Sequence, residues 1–446
     1  MPSDFNIVGV KIYRDGELSE GGISIASGKI LKIGKESALP AAGQVVQGNG
    51  LIALPGLVDV HVHLRDLELS YKEDYLSGTS AAAAGGFTTI VDMPNTRPVT
   101  DSAERLKEKM SIAQQKIIVN VGFNVVPSSL EEVDKAKDLA IGYKINMVKP
   151  WSSLPIDDSS LTSLIDRAGA VGKMVIFHAE EGAIVNELED KYRDRDSLSS
   201  YYKAHPSKAE DMAVGRVIGC AKNRKIRVHF CHISSTGSLR KILAARKQGR
   251  LLTCEATPHH MFLTQRSSSR FGGVSIMDPP LRSREVAARL FSALKRGGID
   301  ILATDHAPHA VEEKRQLPWW KIPIGIPGLE TALPLMLTEV ARGSISLRRV
   351  VEAMAEAPAR IFNLDCGALK EGSAADIVLV DMKRKFRIDP SSFFSKAKYS
   401  PFDGRGVTGK AVKTFVGGKL VFDEDKIVGE LGTGKIVYPR SVTQNP

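Results

Sequence analysis

Hydrophobic and polar positions follow two different patterns along this chain. Over the first fifty residues apolar and polar positions alternate between glycine turns, as in residues 22–30 and 31–34, which predicts short antiparallel strands. From Leu57 onward, short apolar runs are separated by amphipathic segments, an alternation typical of parallel sheets with helical crossovers. After a last helical stretch, residues 347–362, the strand pattern returns at 375–380 and 413–422.

Eight apolar runs lie in the middle of the chain, with amphipathic segments such as 102–115, 130–139 and 284–295 between them. The runs are residues 57–62, 88–92, 117–125, 141–148, 173–178, 226–232, 251–256 and 299–305. Eight strand–helix units predict an α/β fold of the (β/α)8 TIM-barrel type. We predict the barrel over residues 55–365, inserted into one small, sandwich-like β domain formed by residues 1–54 plus 366–446.

Composition agrees with this reading and excludes several classes of protein. The 446 residues suffice for a barrel of about 250 residues and a small domain, and 43% hydrophobic with 25% charged residues is globular composition. The apolar stretch 80–91 is shorter than the roughly 20 residues of a membrane span. No basic-then-apolar leader is visible at residues 1–6, and the four cysteines lack paired spacing, which predicts a cytoplasmic, reduced protein.

The net charge of +10 does not by itself predict nucleic-acid binding. Lysine and arginine are scattered along the chain and form no run or aromatic-interleaved patch. A mild attraction for anionic small substrates is the expected consequence.

Metal-ligand residue types stand at the ends of the predicted strands, where active sites of such barrels are built. His61 and His63 have the same parity on the first run, so both point into the barrel and can chelate one divalent ion. His178 and His232 end the fifth and sixth runs and would hold a second metal. Asp305 ends the eighth run, where a carboxylate can ligate the first metal and handle a proton from the bridging water.

Lys144 lies among outward-facing apolar neighbours in the fourth run and is predicted to point inward. Burial disfavours the charged ammonium, and a neutral amine can add carbon dioxide to give a carbamate that bridges two metals. An ion-paired lysine is the alternative, and Lys149 is a weaker candidate for the bridge. His229 shares parity with Cys231 and is predicted to face a helix.

These ligands, with three short motifs, resemble the dihydroorotases of the amidohydrolase superfamily over about residues 55–364. The motifs are Gly-Gly-Phe-Thr-Thr at 85–89, Asp-Pro-Pro-Leu-Arg at 278–282 and Gly-Ile-Pro-Gly-Leu-Glu-Thr at 325–331. The resemblance implies two zinc ions per subunit, bridged by carboxylated Lys144 and a hydroxide. It also implies that Arg65, Asn95 and His309 bind the free carboxylate of the substrate, since a guanidinium can grip a carboxylate bidentately.

The implied reaction is the reversible hydrolysis of dihydroorotate to N-carbamoyl-aspartate in de novo pyrimidine (UMP) biosynthesis. The hydroxide would attack the ring carbonyl, and Asp305 would pass its proton to the leaving nitrogen. The alternatives are a hydantoinase, dihydropyrimidinase or allantoinase, or a non-catalytic scaffold beside a transcarbamoylase. The expected partners are the small-molecule substrate and either a second copy of this chain or aspartate transcarbamoylase, with no nucleic acid and no membrane.

The chain departs from the family pattern at three places. Leu67-Glu68 stands where Pro-Gly is common, which puts the conformation of the first loop in question. Asp278 replaces an asparagine before Pro-Pro, and we do not assign it as a substrate ligand because a second acid near an anionic substrate needs explaining. His205-Pro206 replaces an Arg-Pro pair, which we interpret as surface variation. The segment 310–320, with its two tryptophans, would be a mobile cover or a packing contact, and His259-His260 is interpreted as structural.

Overall fold

In the computed structural model of the protein the described residues are 3–440. The outermost parts of the predicted β domain, residues 1–2 and 441–446, lie outside the described residues. The strands are β1 (Ser3–Arg14), β2 (Glu17–Ala26), β3 (Lys29–Gly34), β4 (Ala42–Gln47), β5 (Ile52–Pro55), β6 (Leu57–Val62), β7 (Phe87–Asp92), β8 (Asn120–Phe123), β9 (Tyr143–Asn146), β10 (Val175–His178), β11 (Val228–Phe230), β12 (Leu252–Ala256), β13 (Ile301–Leu302), β14 (Ile377–Arg387), β15 (Gly406–Val416), β16 (Lys419–Asp423) and β17 (Lys426–Ile427).

The helices alternate with strands through the middle of the chain. They are α1 (Tyr75–Ala84), α2 (Ala103–Gln114), α3 (Leu130–Ala136), α4 (Asp158–Ala170), α5 (Gly182–Tyr192), α6 (Leu198–Ala204), α7 (Ser207–Cys220), α8 (Thr236–Lys247), α9 (Pro258–Phe262), α10 (Gln265–Ser268), α11 (Arg284–Lys295), α12 (Val311–Lys314), α13 (Leu329–Ala341), α14 (Leu347–Val351) and α15 (Ala357–Ile361). A π-helical turn, Glu352–Glu356, joins the last two.

Strands β6 to β13 form the predicted barrel. They make a three-stranded sheet, β6-β7-β8, and a five-stranded sheet, β9 to β13, and their pairings are parallel. Parallel bridges between Val125 and Tyr143 and between Val62 and His306 join the two sheets at both edges. The TIM-type fold with a separate β domain is therefore confirmed.

Sequence explains why these segments take these structures. All six residues of β6 are buried, as expected for a strand covered on both faces. Most of the helices begin at side chains that accept hydrogen bonds from their first turns, for example Ser283 Oγ from the Val286 amide at the start of α11. The same helix buries Leu290 and Leu294 and exposes its charged residues, which fits its predicted amphipathic pattern.

A nine-stranded sheet is built from strands of both ends of the described chain. Its two halves meet where β5 pairs antiparallel with β14, Val378 opposite Leu54. The predicted strand segment 413–422 is divided by a turn at Gly417 and Gly418, both with positive φ, so that β15 and β16 form a hairpin. The exact domain limits, 1–54 with 366–446 and 55–365, stay a prediction.

The sheet has its own apolar core, which contains Ile7, Ile23, Ile377 and Phe415. None of the helices formed by residues 3–440 has the length and apolar character needed to cross a bilayer.

Candidate active site

The carboxyl ends of the barrel strands surround a cavity of about 240 Å³. All nine predicted site residues line it: His61, His63, Arg65, Asn95, Lys144, His178, His232, Asp305 and His309. A larger cavity, about 770 Å³, lies next to Arg227 before the start of β11, but it holds none of these residues. Residues from several different strands thus converge in the smaller cavity, as the barrel architecture requires.

His61, His63 and Asp305 form one group of potential metal ligands. Asp305 Oδ1 lies 3.3 Å from Nε2 of His61 and 3.3 Å from Nε2 of His63, and all three side chains are buried. Burial raises the pKa of Asp305, although the neighbouring His61 and Lys144 oppose this shift. The two histidines therefore point the same way, and the carboxylate faces both.

His178 and His232 lie next to this group. His178 Nδ1 is 3.0 Å from His232 Nε2, and the rings of His232 and His61 are 5.2 Å apart between centroids. Lys144 is buried among them and donates a hydrogen bond to Cys231 Sγ at 2.8 Å. Lys149 also lines the cavity, but its side chain is 56% exposed, whereas Lys144 is 1% exposed.

The orientation of the rings suits metal binding. His61, His63 and His178 each turn one nitrogen toward the cluster, while oxygens of Glu255, Asn95 and Glu180 contact the other. Such outer partners fix the tautomer of a ligating histidine and leave its free lone pair for the metal. Burial lowers the pKa values of His63 and His232, which keeps both rings neutral. The donor set therefore fits divalent ions that prefer imidazole and carboxylate ligands.

Arg65 is a buried cation that forms no ion pair in the described part of the chain, although the more distant carboxylates of Asp305, Asp92 and Glu313 act on it. No carboxylate of residues 3–440 lies within 4.0 Å of its guanidinium, which donates through Nε to the Pro308 carbonyl at 3.2 Å. Asp66 and Asp74, two acidic residues that follow Arg65 in sequence, pair instead with Lys116 and Lys396. An unpaired buried charge is costly, so this position favours an anionic ligand in the cavity.

Asn95 and His309 flank Arg65 with defined orientations. Asn95 Oδ1 lies 2.5 Å from His63 Nδ1, so the oxygen accepts the ring proton and the amide group of Asn95 is left as a donor. His309 Nε2 donates to the Ile324 carbonyl at 2.8 Å, and its Nδ1 accepts from Lys72 Nζ at 3.1 Å. Lys72, which pattern reasoning missed, thus fixes the tautomer of His309.

Three site residues have a left-handed backbone although none is a glycine. The φ angles are 58° at Arg65, 29° at His232 and 48° at Asp305. Asp66 and Leu67 also have positive φ angles, 45° and 51°, so the loop that lacks the family's Pro-Gly contains three consecutive positive-φ residues and no glycine. Such backbone is strained and persists only where surrounding contacts hold it.

Glu255 is the main functional candidate that sequence reasoning missed. Its carboxylate contacts His61 Nδ1, and lies 3.0 Å from His229 Nε2 and 3.1 Å from the His232 amide. Burial alone would raise the pKa of Glu255, but the neighbouring His61 and His229 outweigh it and lower the pKa. The sequence contains a signal for Glu255, because this carboxylate stands within an apolar strand in the same way as Lys144.

The prediction that His229 faces a helix is wrong. Its ring is buried inside the barrel, where it bonds to Glu255 and, through Nδ1 at 2.9 Å, to Thr253 Oγ1. His205 is likewise not a surface residue, because none of it is exposed. His260 has the structural role predicted for the histidine pair: its Nε2 donates to the Pro279 carbonyl at 2.8 Å.

The segment 310–320 includes α12 and ends in a packing contact. Trp319 and Trp320 pack with Tyr201 in a small apolar cluster beside the cavity. The packing contact is therefore present, and the role of the segment as a mobile cover stays a prediction.

Replacing Glu255 by glutamine is expected to weaken metal binding by roughly ten- to a hundredfold, the usual effect of losing an outer-shell partner. The neutral amide of glutamine lacks the negative charge that the Glu255 carboxylate presents to the rings of His61 and His229. We would measure zinc affinity by competition with a chelating dye. Glu210→Gln is the matched control, because this buried carboxylate accepts from the Ser234 and Ser235 amides instead of a ring. Equal affinities in both variants would contradict this role.

Comparisons with known proteins place the chain among enzymes of one kind. The model of the amidohydrolase family matches residues 52–421. The dihydroorotase of Bacillus cytotoxicus is 38% identical over 425 residues, covering 93% of this chain and 97% of the relative. The dihydroorotase of Geotalea daltonii is 38% identical over 411 residues, covering 90% and 94%.

Solved structures with the same fold carry a different name. The L-hydantoinase (dihydropyrimidinase) from Arthrobacter aurescens has a TM-score of 0.93 at 32% identity, covering 98% of this chain and 100% of the other. The dihydropyrimidinase from Brevibacillus agri has a TM-score of 0.92 at 26% identity, covering 99% of each chain. Sequence relatives and structural neighbours therefore differ in the substrate that their names indicate.

Proposed function

The chain belongs to the amidohydrolase family and is a cyclic amidohydrolase, and from this premise we propose that its substrate is dihydroorotate. The observation that carries the proposal is the buried, unpaired guanidinium of Arg65 in the cavity wall. Dihydroorotate brings a ring carboxylate that supplies the missing counter-charge, whereas hydantoin and allantoin have none. The dihydroorotase relatives support the same choice.

Arg65 and Asn95 would donate to that carboxylate, and His309 would contact it without donating, since its ring nitrogens are occupied by the Ile324 carbonyl and Lys72. The guanidinium offers paired N–H donors, and the amide of Asn95 adds a donor because its oxygen is held by His63. His309 is neutral, since burial and the nearby Arg65 lower its pKa to about 3. With the carboxylate held at this side of the cavity, the ring would extend toward the histidine cluster.

The reacting end of the cavity would hold two zinc ions. His61, His63 and Asp305 would bind the first, His178 and His232 the second, and a carboxylated Lys144 would bridge them. Bound zinc supplies an ionised water nucleophile at neutral pH and polarises the carbonyl of the scissile amide. Lys144 is suited to carboxylation because it is buried at the histidine cluster, where its amine contacts Cys231 Sγ and forms no ion pair with a carboxylate of the described residues.

Asp305 is the proton carrier in this proposal. Its carboxylate faces both His61 and His63 and lines the cavity. In hydrolysis it would take the proton from the attacking water and deliver it to the ring nitrogen as the amide bond breaks, which yields N-carbamoyl-aspartate. In the biosynthetic direction the same carboxylate would remove that proton while the ring closes.

This reaction consumes or forms the product of an aspartate transcarbamoylase, and we place it in the cytoplasmic synthesis of pyrimidines. The specific observation that favours the second candidate, a hydantoinase, is the likeness to the Arthrobacter aurescens structure. A non-catalytic scaffold is disfavoured because every predicted ligand lines the cavity.

The test compares dihydroorotate, hydantoin and allantoin at equal concentrations with the zinc-loaded protein. We expect turnover of dihydroorotate with a kcat/KM at least roughly a hundredfold above that of either neutral ring, since only the first pairs with Arg65. Ring opening is measured as the loss of absorbance of the cyclic amide. Preferred turnover of hydantoin would reject the substrate and retain the family.

A further inference from the structure

A buried ion pair contacts the backbone of both loops that carry Arg65 and Asn95. It joins Asp92, the last residue of β7, to Lys109 in the middle of α2, with 2.8 Å between Asp92 Oδ2 and Lys109 Nζ. The two side chains are 0% and 1% exposed, and neither residue lines the cavity. The pair therefore lies in the wall that supports the site and does not itself face a bound molecule.

Asp92 fixes the loop that carries Arg65. Its other oxygen, Oδ1, accepts a hydrogen bond from the Leu64 amide at 2.8 Å. The next residue, Arg65, has a left-handed backbone with a φ of 58°, and an arginine keeps this conformation only where its surroundings hold it. The bond from Leu64 to Asp92 is one of the contacts that hold Arg65 in this way.

Lys109 fixes the loop that carries Asn95. Its ammonium donates a hydrogen bond at 2.9 Å to the carbonyl of Met93, two residues before Asn95, and lies 5.3 Å from the centroid of the Phe123 ring. The Met93 amide in turn donates to the Val62 carbonyl at 2.8 Å, which ties this loop to the end of β6. One ammonium thus contacts the carboxylate that holds the first loop and the carbonyl of the second.

Stability alone does not explain the pair. Taking two charges out of water costs free energy that offsets most of their attraction, so a buried ion pair is weak evidence for stability. The pair does supply a fixed geometry, because each partner is bonded to the backbone of a different loop. A substrate carboxylate that is gripped by donors from both loops requires that geometry, since small displacements of a binding group are costly.

We propose that Lys109 and Asp92 are positioning residues that set the spacing of Arg65 and Asn95, and thereby the affinity of the site for a ring that carries a carboxylate. The inference rests on the proposed function, because it requires a substrate with a ring carboxylate. Neither residue touches the substrate. Each acts through the backbone beside a residue that does.

The test measures two quantities on the zinc-loaded protein: the Kd for orotate, a ring with the same carboxylate, by calorimetry, and kcat and KM for dihydroorotate. Lys109→Met should weaken orotate binding roughly tenfold and raise KM by a similar factor, because Arg65 is retained but is no longer held in place. The change in kcat and in zinc content should be smaller. Lys107→Met, which alters an exposed lysine of the same helix, is the matched control and should leave both quantities unaltered.

Combination with Arg65→Met separates positioning from a general loss of structure. If Lys109 acts through Arg65, Lys109→Met should weaken orotate binding less in the Arg65→Met background than in the wild type, since most of what it positions is then gone. A purely structural role would lower Tm and add the same loss of affinity in both backgrounds.

Lys109→Met leaves Asp92 as a buried charge without its partner. If this variant does not fold, the combination of Lys109→Met with Asp92→Asn removes both charges and keeps an oxygen for the Leu64 amide. Orotate affinity should then fall by a smaller factor, because only the contact with the Met93 carbonyl is lost.

Unchanged orotate affinity and KM in a folded Lys109→Met variant would overturn the proposal, provided that Arg65→Met weakens orotate binding. Failure of the proposed function gives a different result: the wild type then opens hydantoin in preference to dihydroorotate, and Arg65→Met leaves orotate affinity unaltered. That result would overturn the positioning role as well, because no carboxylate is then bound by the two loops.

Discussion

Replacing Asp305 by asparagine is expected to lower kcat for dihydroorotate by roughly a thousandfold, within the range for loss of a general acid–base group. Asparagine keeps an oxygen that faces His61 and His63 but cannot take up or deliver the proton. The effect should fall on kcat more than on KM, because Asp305 lies at the histidine cluster and not beside Arg65. Steady-state kinetics on zinc-loaded protein measures both constants.

The control for Asp305 is the same substitution at Asp300, just before β13. Asp300 pairs with Arg246 and accepts from the Cys254 amide at 2.8 Å, and it does not line the cavity. Asp300→Asn should retain activity even if Tm falls. Metal content must be measured alongside, since Asp305 is also a proposed ligand. A fully metallated Asp305→Asn variant with near wild-type kcat would remove Asp305 from proton transfer.

Arg65→Met should raise KM for dihydroorotate by about a hundredfold or more, because it removes the partner of a buried charged pair. Hydantoin has no carboxylate, so its kcat/KM should change little. The measurement is the ratio of kcat/KM for the two substrates, compared between variant and wild type. Arg65→Lys should recover only part of the loss, since lysine lacks the bidentate geometry.

Arg97→Met is the matched control, because Arg97 is exposed on the loop that follows Asn95. Arg97→Met should leave the ratio of kcat/KM for dihydroorotate and hydantoin unaltered. A uniform loss of activity on both substrates in Arg65→Met would mean that Arg65 acts through its hydrogen bond to Pro308 and holds the loop, and not the substrate.

The barrel and the nine cavity residues could be predicted from sequence because their signals are local. A histidine, lysine or aspartate within an apolar run indicates a functional position. The alternation of side chains along a strand then predicts that His61, His63 and Lys144 point into the barrel. Six of the eight runs are longer than the strands that they predicted, however. The polar residues at the ends of a run lie outside the strand. In the run 299–305, for example, only Ile301–Leu302 is strand.

Parity failed at the sixth strand for a physical reason. A regular strand would put His232 and His229 on opposite faces, yet both rings are inside the barrel. Strand β11 ends at Phe230, and the left-handed backbone of His232 turns its ring back toward the cavity. A local change of this kind follows from the surrounding packing and has no signature in the sequence.

His205 and Glu255 could not be assigned because their meaning depends on long-range contacts. His205 precedes a proline, which suggests an exposed turn, but Asp278 and Glu189 enclose it from other parts of the chain. Glu255 acquires its role only when β6, β11 and β12 come together.

The sheet built from both ends of the chain has a consequence for synthesis on the ribosome. Strand β5 emerges before the barrel, but its partner β14 emerges only after the barrel has been made. The nascent chain therefore carries β5 with an unpaired edge through most of translation, and exposed edges invite association with other chains. Cellular yield of this protein should consequently depend on chaperone supply more than its finished stability would suggest.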